Sequence, residues 1–112
     1  MKLRSPDQVD FLEEQLLRRT ENVLNSGFLW LMIIKETSRQ PLKTGDLRKV
    51  LAQKYFNPHR NTLYSAVLLL KTMRVIEERP DKKLQATKKG LLVLERGTQH
   101  LTRNLHALKD KT

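Results

Sequence analysis

The sequence lacks several features on which common classes of protein depend. It contains no cysteine, which excludes a disulfide scaffold, a thiolate zinc site and a cysteine nucleophile. Its four glycines are spread singly, so no glycine-rich loop is present to cradle a phosphate. The longest apolar run, residues 28–34, is seven residues long, whereas a bilayer span needs about 20. The N-terminus also has no apolar segment of the signal-peptide kind. We therefore expect a small soluble protein that is cytoplasmic and has no contact with a membrane.

The residues that usually carry catalysis are scattered. The three histidines, His59, His100 and His106, show no metal-ligand spacing. The acidic pairs at 13–14 and 77–78 are adjacent in sequence, so their side chains point apart on a helix or strand. We expect no enzyme activity, no metal and no cofactor.

Positive charge is abundant and unevenly distributed. The chain has 22 Lys plus Arg against 12 Asp plus Glu, a formal charge of +10. Residues 1–40 hold six basic and six acidic residues, whereas residues 41–112 hold sixteen and six and so carry the whole +10. A one-sided basic surface is typical of proteins that bind a polyanion, because each neutralised phosphate releases counterions. A membrane surface and simple solubility are the alternatives on charge alone.

The first 40 residues predict two helices. Ser5 and Pro6 form a helix start, and Leu12, Leu16 and Val23 recur at helical spacings up to about residue 24. The residues at 25–27, Asn-Ser-Gly, are typical of a helix end. A second helix over 28–37 is apolar nearly all round, which predicts a buried central helix.

The remainder predicts two helices, a hairpin and a last helix. Thr44 is the expected cap of a helix from residue 45 to about residue 55. Asn57 and Pro58 are the expected cap and first residue of a helix to about residue 72. The segment 74–86 predicts a two-stranded hairpin with a turn at 80–81, and Thr87 is the expected cap of a helix over 88–109.

This order is the layout of a winged helix-turn-helix. The fold class expected is mainly α with a small β-hairpin (α+β), with additional N- and C-terminal helices. We expect one DNA-binding domain over residues 1–112. It would comprise an N-terminal helix at 1–26, a winged-helix core at 28–86 and a C-terminal dimerisation helix at 87–112.

Two segments resemble the PadR-type winged-helix regulators. The run Asn61-Thr62-Leu63-Tyr64-Ser65-Ala66-Val67, with Leu70 and Val75-Ile76 after it, is similar to the recognition helix and strand start of that family. The run Leu84-Gln85-Ala86-Thr87-Lys88-Lys89-Gly90 is similar to its second strand and the start of its last helix. Arg74 and Leu68-Leu69 depart from the family, which usually has glycine at the first position and polar residues at the other two. The resemblance covers about residues 28–96 and implies a homodimer, paired through its terminal helices, that binds an operator-like DNA site.

The recognition helix, the wing and the preceding helix supply the candidate DNA contacts. Arginine pairs with guanine, asparagine with adenine, and serine or threonine with base edges or phosphate. For Tyr64, a phosphate contact through its hydroxyl and packing in the core are equally open. For the other residues, the alternative to DNA contact is an ordinary solvated surface. The candidate set is His59, Arg60, Asn61, Thr62, Tyr64 and Ser65 on the helix, Arg79, Lys82 and Lys83 on the wing, and Lys43, Arg48, Lys49 and Lys54 near the preceding helix.

Apolar residues on the terminal helices exceed what one small core can use. We interpret them as a homodimer interface of coiled-coil type, with packing of the two helices within one subunit as the alternative. Leu68 and Leu69 either extend the core or form a second contact surface. The interface set is Leu12, Leu16, Val23, Leu94, Leu101, Leu105 and Leu108.

The sequence favours a cytoplasmic, nucleoid-associated regulator of transcription that binds double-stranded DNA as a homodimer. The helix over 58–72 would read the major groove, and the wing at 74–86 would contact the backbone or minor groove. Two alternatives stay open. One is an architectural protein of the same fold that assembles on DNA, as in plasmid partition, replication control or chromatin coating. The other is a protein-binding module with no nucleic acid partner.

Overall fold

The computed structural model describes the backbone of residues 6–110 and the side chains of residues 10–110. The elements run α1 (Pro6–Arg39), α2 (Thr44–Lys54), α3 (Arg60–Thr72), β1 (Ile76–Glu78), β2 (Leu84–Ala86) and α4 (Lys88–Lys109). The architecture is mainly α with one antiparallel hairpin, as the sequence predicts. Ser5, the expected first cap, lies outside the described residues.

The first 34 described residues form one helix, not two. α1 continues through residues 25–27 without interruption, so the predicted helix end at Gly27 is wrong. A glycine inside a helix costs about 1 kcal/mol relative to alanine, and the packing of the segment after it outweighs this cost. At 1.5 Å per residue, α1 is about 50 Å long. We call its residues 10–24 the arm; nearly every side chain there is exposed.

The core lies around the C-terminal half of α1. Leu29, Ile33 and Ile34 are buried, but Trp30 on the same segment is 41% exposed, so this stretch is not buried all round as predicted. Helices α2 and α3 and the hairpin cover it with a spaced set of apolar residues. These are Leu47, Leu51, Leu63, Ala66, Val67, Leu70, Val75, Ile76 and Leu84.

Two helix starts differ from the predicted positions. Thr44 is the first residue of α2, and Lys43 occupies the cap position without a side-chain hydrogen bond. Asn57 and Pro58 precede α3 rather than begin it, because the backbone of His59 is still extended (ψ 136°); Pro58 is fully buried in the connecting segment. His59 caps α3 instead: its Nδ1 accepts a hydrogen bond from the Asn61 N–H at 3.3 Å.

The hairpin is attached to the loop before α2. Strands β1 and β2 pair antiparallel with Glu77 opposite Gln85. Leu42 extends this ladder, since its N–H donates to the Leu84 carbonyl at 3.0 Å and its carbonyl accepts from the Leu84 N–H at 2.7 Å. The wing, residues 74–86, is therefore held against the helical core at its base.

The turn between α3 and β1 uses a left-handed residue. Arg74 has φ 61°, a region that favours glycine. Its N–H donates to the Lys71 carbonyl at 3.0 Å, and the Val75 N–H donates to the Leu70 carbonyl at 3.1 Å. This pair of bonds is the Schellman motif, which satisfies the last carbonyls of α3 and turns the chain into the wing.

Helix α4 begins as predicted and packs across this turn. The Thr87 hydroxyl accepts from the Gly90 N–H at 3.1 Å and donates to the Arg74 carbonyl at 2.7 Å. A Cβ at Gly90 would overlap the Val75 carbonyl oxygen, so only glycine allows this close approach. Farther along α4, a Cβ added at Gly97 would lie 2.9 Å from Leu31 Cδ2. This short distance shows that α4 packs against the C-terminal half of α1.

Candidate nucleic-acid interface

A basic groove lies between the N-terminal ends of α2 and α3. It has a volume of about 400 Å³, and its charged lining residues are Arg48, Lys49 and Arg60. Arg60 Nε donates to the Tyr64 hydroxyl at 3.2 Å, and the guanidinium carbon lies 5.3 Å from the Tyr64 ring centroid. This contact fixes the side chain of Arg60, the first residue of α3, against Tyr64 one turn farther along the helix. The other N–H donors of Arg60 are left for an anion.

Tyr64 belongs to this surface and not to the core. Its side chain is 44% exposed, so the core-packing alternative is wrong. The hydroxyl accepts from Arg60, and its own proton remains able to donate to a phosphate oxygen.

The outer face of α3 carries the other candidates on that helix. Asn61, Ser65, Leu68 and Thr72 follow one another at spacings of four, three and four, and all are exposed. They point away from the buried line that begins at Leu63. The first turn of α3 has no acidic residue, so its free N–H groups and its dipole favour a phosphate there.

Some of these residues line a second groove, which lies on the other side of α3 from the basic groove. Asn61, Thr62 and Ser65 line it together with Trp30 and Leu69, between α1 and α3. The structure therefore places the polar candidates of α3 on one side of the helix and Arg60 with Tyr64 on the other. His59 stands at the cap with Nδ1 occupied, which leaves Nε2 for any further contact.

The wing tip is short and basic. Lys82, in the left-handed region at φ 69°, and Lys83 are both exposed. Arg79 is different, because its Nη2 lies 3.3 Å from Asp81 Oδ2 and so part of its charge is neutralised within the turn. Asp81 also accepts the Lys83 N–H at 3.1 Å, which orders the tip.

The basic residues around α2 divide into two groups. Arg48 and Lys49 face the groove, and Lys43 is exposed at the start of the helix. Lys54 is committed elsewhere: its Nζ donates to Glu36 Oε1 at 2.7 Å. This ion pair neutralises part of the Lys54 charge, and the place of Lys54 on the DNA-facing surface stays a prediction.

The Glu36 cluster is a structural site that sequence reasoning missed. Glu36 is only 2% exposed, and Tyr55 donates to its Oε2 at 2.9 Å. Burial acts to raise its pKa, but the hydrogen bonds from Lys54 and Tyr55 and the charges of Lys54 and Arg39 hold the pKa of Glu36 below its usual value. Burial and the bond to Glu36 raise the pKa of Tyr55. The cluster joins the C-terminal ends of α1 and α2. No sequence motif indicates it, because Lys54 and Tyr55 lie 18 and 19 residues after Glu36 in the chain.

The candidate interface residues are uncovered or only partly covered. Leu12, Leu16 and Val23 are exposed on the arm, and Leu105 and Leu108 are exposed near the end of α4. Leu94 and Leu101 are half-buried. The two terminal helices pack on each other only beyond the arm, which leaves a large apolar surface on both.

Comparisons with known proteins bear on the fold. The chain is similar to a crystal structure described as a "PadR-like Transcription factor from bacteroid fragilis", at 19% sequence identity and a TM-score of 0.61. The match covers 80% of this chain and 98% of that one. No protein-family model and no curated protein matches the sequence. The chain thus has the PadR-like winged-helix fold, which confirms the resemblance at the level of fold.

Two kinds of feature are absent from the residues that the structure describes. No described helix is both long and apolar enough to cross a bilayer. Within residues that the structure describes, no three His, Cys, Asp or Glu side chains cluster in a way that could hold a metal ion.

Proposed function

We propose that the protein is a homodimeric, double-stranded DNA-binding regulator of transcription. The observation that carries this proposal is the basic groove, in which Arg48 and Lys49 of α2 meet Arg60 and Tyr64 of α3 beside an outer helix face free of carboxylates. A major groove admits one α-helix, and helix N-termini and basic side chains bind the flanking phosphates.

In this proposal each element has one task. Helix α3 enters the major groove, where Arg60, Asn61, Thr62 and Ser65 reach base edges and Tyr64 contacts phosphate. Lys82 and Lys83 on the wing contact the backbone or the adjacent minor groove. Lys43, Arg48 and Lys49 contact backbone phosphates, and His59 and Arg79 contribute at the edges of the surface.

The homodimer part of the proposal rests on the uncovered apolar side chains. The arm of one subunit and α4 of its partner would cover each other, so that residues 87–112 form the dimerisation helix and residues 28–86 the winged-helix core. A helix with so many exposed apolar residues is stabilised by a second helix that buries them. The cytoplasmic, nucleoid-associated location expected from the sequence stays a prediction, as does the absence of catalytic activity.

The test is fluorescence anisotropy with a random duplex and a panel of genomic fragments that includes the region upstream of the gene. Binding to one fragment at least about 1,000-fold tighter than to random DNA, the low end of usual specificity ratios, would support a site-specific regulator. Absence of binding to every duplex at moderate salt would contradict the proposal and favour the protein-binding module.

A matched pair of variants ties the binding to the groove. Lys49→Ala removes a charge that lines the groove, and the slope of log K against log salt should fall by about 1. Arg18→Ala removes the same charge from the arm, where Arg18 pairs with Glu14 at 2.8 Å, and should leave the slope unchanged. Equal changes in both variants would show that net charge, not the groove, determines binding.

The second candidate is an architectural protein that assembles along DNA. Exposed Leu69 and Trp30, which line one groove beside α3, favour it because such a surface suits contact between neighbouring copies. It predicts cooperative binding and footprints that lengthen with protein concentration. A footprint of constant length on one site would contradict it.

A further inference from the structure

The outer face of α3 changes from polar to apolar along its length. Asn61 and Ser65 occupy its N-terminal half, and Leu68 follows on the same face with 63% of its side chain exposed. Thr72 comes next, but its hydroxyl donates back to the Leu68 carbonyl at 2.8 Å and is therefore engaged within the helix. The C-terminal half of the face thus offers apolar contact instead of a free donor.

Among the residues that the structure describes, Leu68 is not part of the hydrophobic core. The core positions of α3 are Leu63, Ala66, Val67 and Leu70, on the opposite side of the helix. Leu69, its neighbour, turns toward the groove that contains Trp30. A single exposed leucine is ordinary on a protein surface, but Leu68 lies on the same face as Asn61 and Ser65, the residues proposed to reach base edges.

We propose that Leu68 is a specificity-determining residue that packs against the 5-methyl group of thymine in the major groove. This inference rests on the DNA-binding function proposed above. The thymine methyl is the apolar group that base edges present in the major groove, whereas a leucine placed on a phosphate would remove solvent from a charge without supplying a hydrogen bond.

The helix geometry sets the position of that thymine. Leu68 lies seven residues after Asn61, which is about 10 Å along the helix axis. With base pairs spaced about 3.4 Å apart along the DNA axis, and α3 inclined to that axis when it lies in the groove, this distance spans at most about three base-pair steps. Since asparagine pairs with adenine, a half-site would contain an adenine read by Asn61 and a thymine within about three base pairs of it.

The experiment compares two duplexes of identical sequence. The genomic fragment that the protein binds most tightly is synthesised once with thymidine and once with deoxyuridine in every thymidine position, which removes only the methyl groups. The wild-type protein should bind the deoxyuridine duplex about fourfold more weakly for one contacted methyl and about 16-fold more weakly for one in each half-site. Single replacements then locate the contacted thymine.

Variants assign the effect to Leu68. Leu68→Ala should bind both duplexes equally, with an affinity near that of the wild type for the deoxyuridine duplex. Leu69→Ala removes the same atoms at the adjacent position and should keep the wild-type discrimination. Leu68→Met, which preserves an apolar side chain of similar reach, should keep most of it. Circular dichroism melts establish that each variant is folded, as expected for exposed helix positions.

The outcomes separate the two proposals. Discrimination that persists in Leu68→Ala, or equal binding of both duplexes by the wild type, would overturn the role of Leu68 and leave DNA binding intact. Equal binding by the wild type together with loss of self-association in Leu68→Ala would assign this residue to a protein contact instead. Failure of the wild type to bind either duplex would overturn DNA binding itself, and the role of Leu68 with it.

Discussion

Glycine to alanine substitutions at two helical positions should change stability in opposite directions. Gly27 lies in the interior of α1, and a Cβ there would meet nothing within 4 Å. Gly90 lies in the first turn of α4, where a Cβ would overlap the Val75 carbonyl oxygen and lie 3.1 Å from the Val75 carbonyl carbon. The two variants add the same methyl group, so the surroundings determine whether the free energy of unfolding rises or falls.

The magnitudes follow from helix propensity and from overpacking. Gly27→Ala should stabilise the protein by about 1 kcal/mol, the propensity difference between glycine and alanine inside a helix. Gly90→Ala must displace backbone instead of a flexible side chain, and overpacking of this kind costs roughly 1–3 kcal/mol. For a chain of this size, about 4 °C of melting temperature corresponds to 1 kcal/mol. Gly27→Ala should therefore melt about 4 °C higher, and Gly90→Ala about 4–12 °C lower, than the wild type.

The assay is a thermal melt followed by circular dichroism, with urea unfolding as the second measurement. All proteins are compared at one concentration, because association would make the melting temperature concentration-dependent. A destabilised Gly27→Ala would refute the continuous helix and restore the break expected from the sequence. A Gly90→Ala protein as stable as the wild type would refute the close approach of α4 to the turn before β1.

Three further substitutions test the turn after α3, the buried carboxylate and the arm. Arg74→Gly should stabilise the protein by about 1 kcal/mol, since glycine adopts the left-handed conformation without the cost that other residues incur; urea unfolding measures it. The pKa of Glu36 is lowered from its unperturbed value of 4.5. Its ionised form therefore stabilises the fold fully above pH 4.5, and this stabilisation is lost as the pH falls through the pKa of Glu36 in the folded state. Lys54→Ala removes one cause of that lowering, and acid unfolding should begin at a higher pH; unchanged acid unfolding would contradict the coupling. Leu16→Glu should convert a dimer into monomers in sedimentation experiments, because the exposed apolar surface it interrupts is the proposed interface.

Local signals account for the parts of the fold that could be predicted. The Thr87 cap, the turn of the hairpin and the extent of α4 each depend on residues within a few positions of one another. Gly27 is also a local signal, but the packing of the segment after it overrides the helix end that it suggests. Asn57 and Pro58 resemble a helix start, yet the extended backbone and side-chain cap of His59 place the start of α3 at Arg60.

The sequence predicted which polar and basic residues of α3 are exposed, but not how they are arranged. Arg60, Asn61 and Ser65 were chosen from their residue types and their position near the start of the helix, and all three are exposed on α3, while their contact with DNA stays a prediction. Their division between two grooves depends on how α2 and α1 flank that helix, which no spacing along the chain determines. For the same reason the sequence did not show that Lys54 is held by Glu36.

The continuity of α1 has a mechanical consequence. The arm passes into the segment that supports α3 without a hinge, so one stiff rod links the proposed interface to the proposed reading helix. In a dimer joined through the arms, the separation of the two reading helices is then a fixed dimension of the molecule, and so is the distance between the half-sites it can occupy. One residue inserted between the proposed interface and the core would rotate each reading helix by about 100° around the axis of α1, and shift it by about 1.5 Å, relative to that interface. A dimer of this kind would bind two half-sites only at the separation that its arms set.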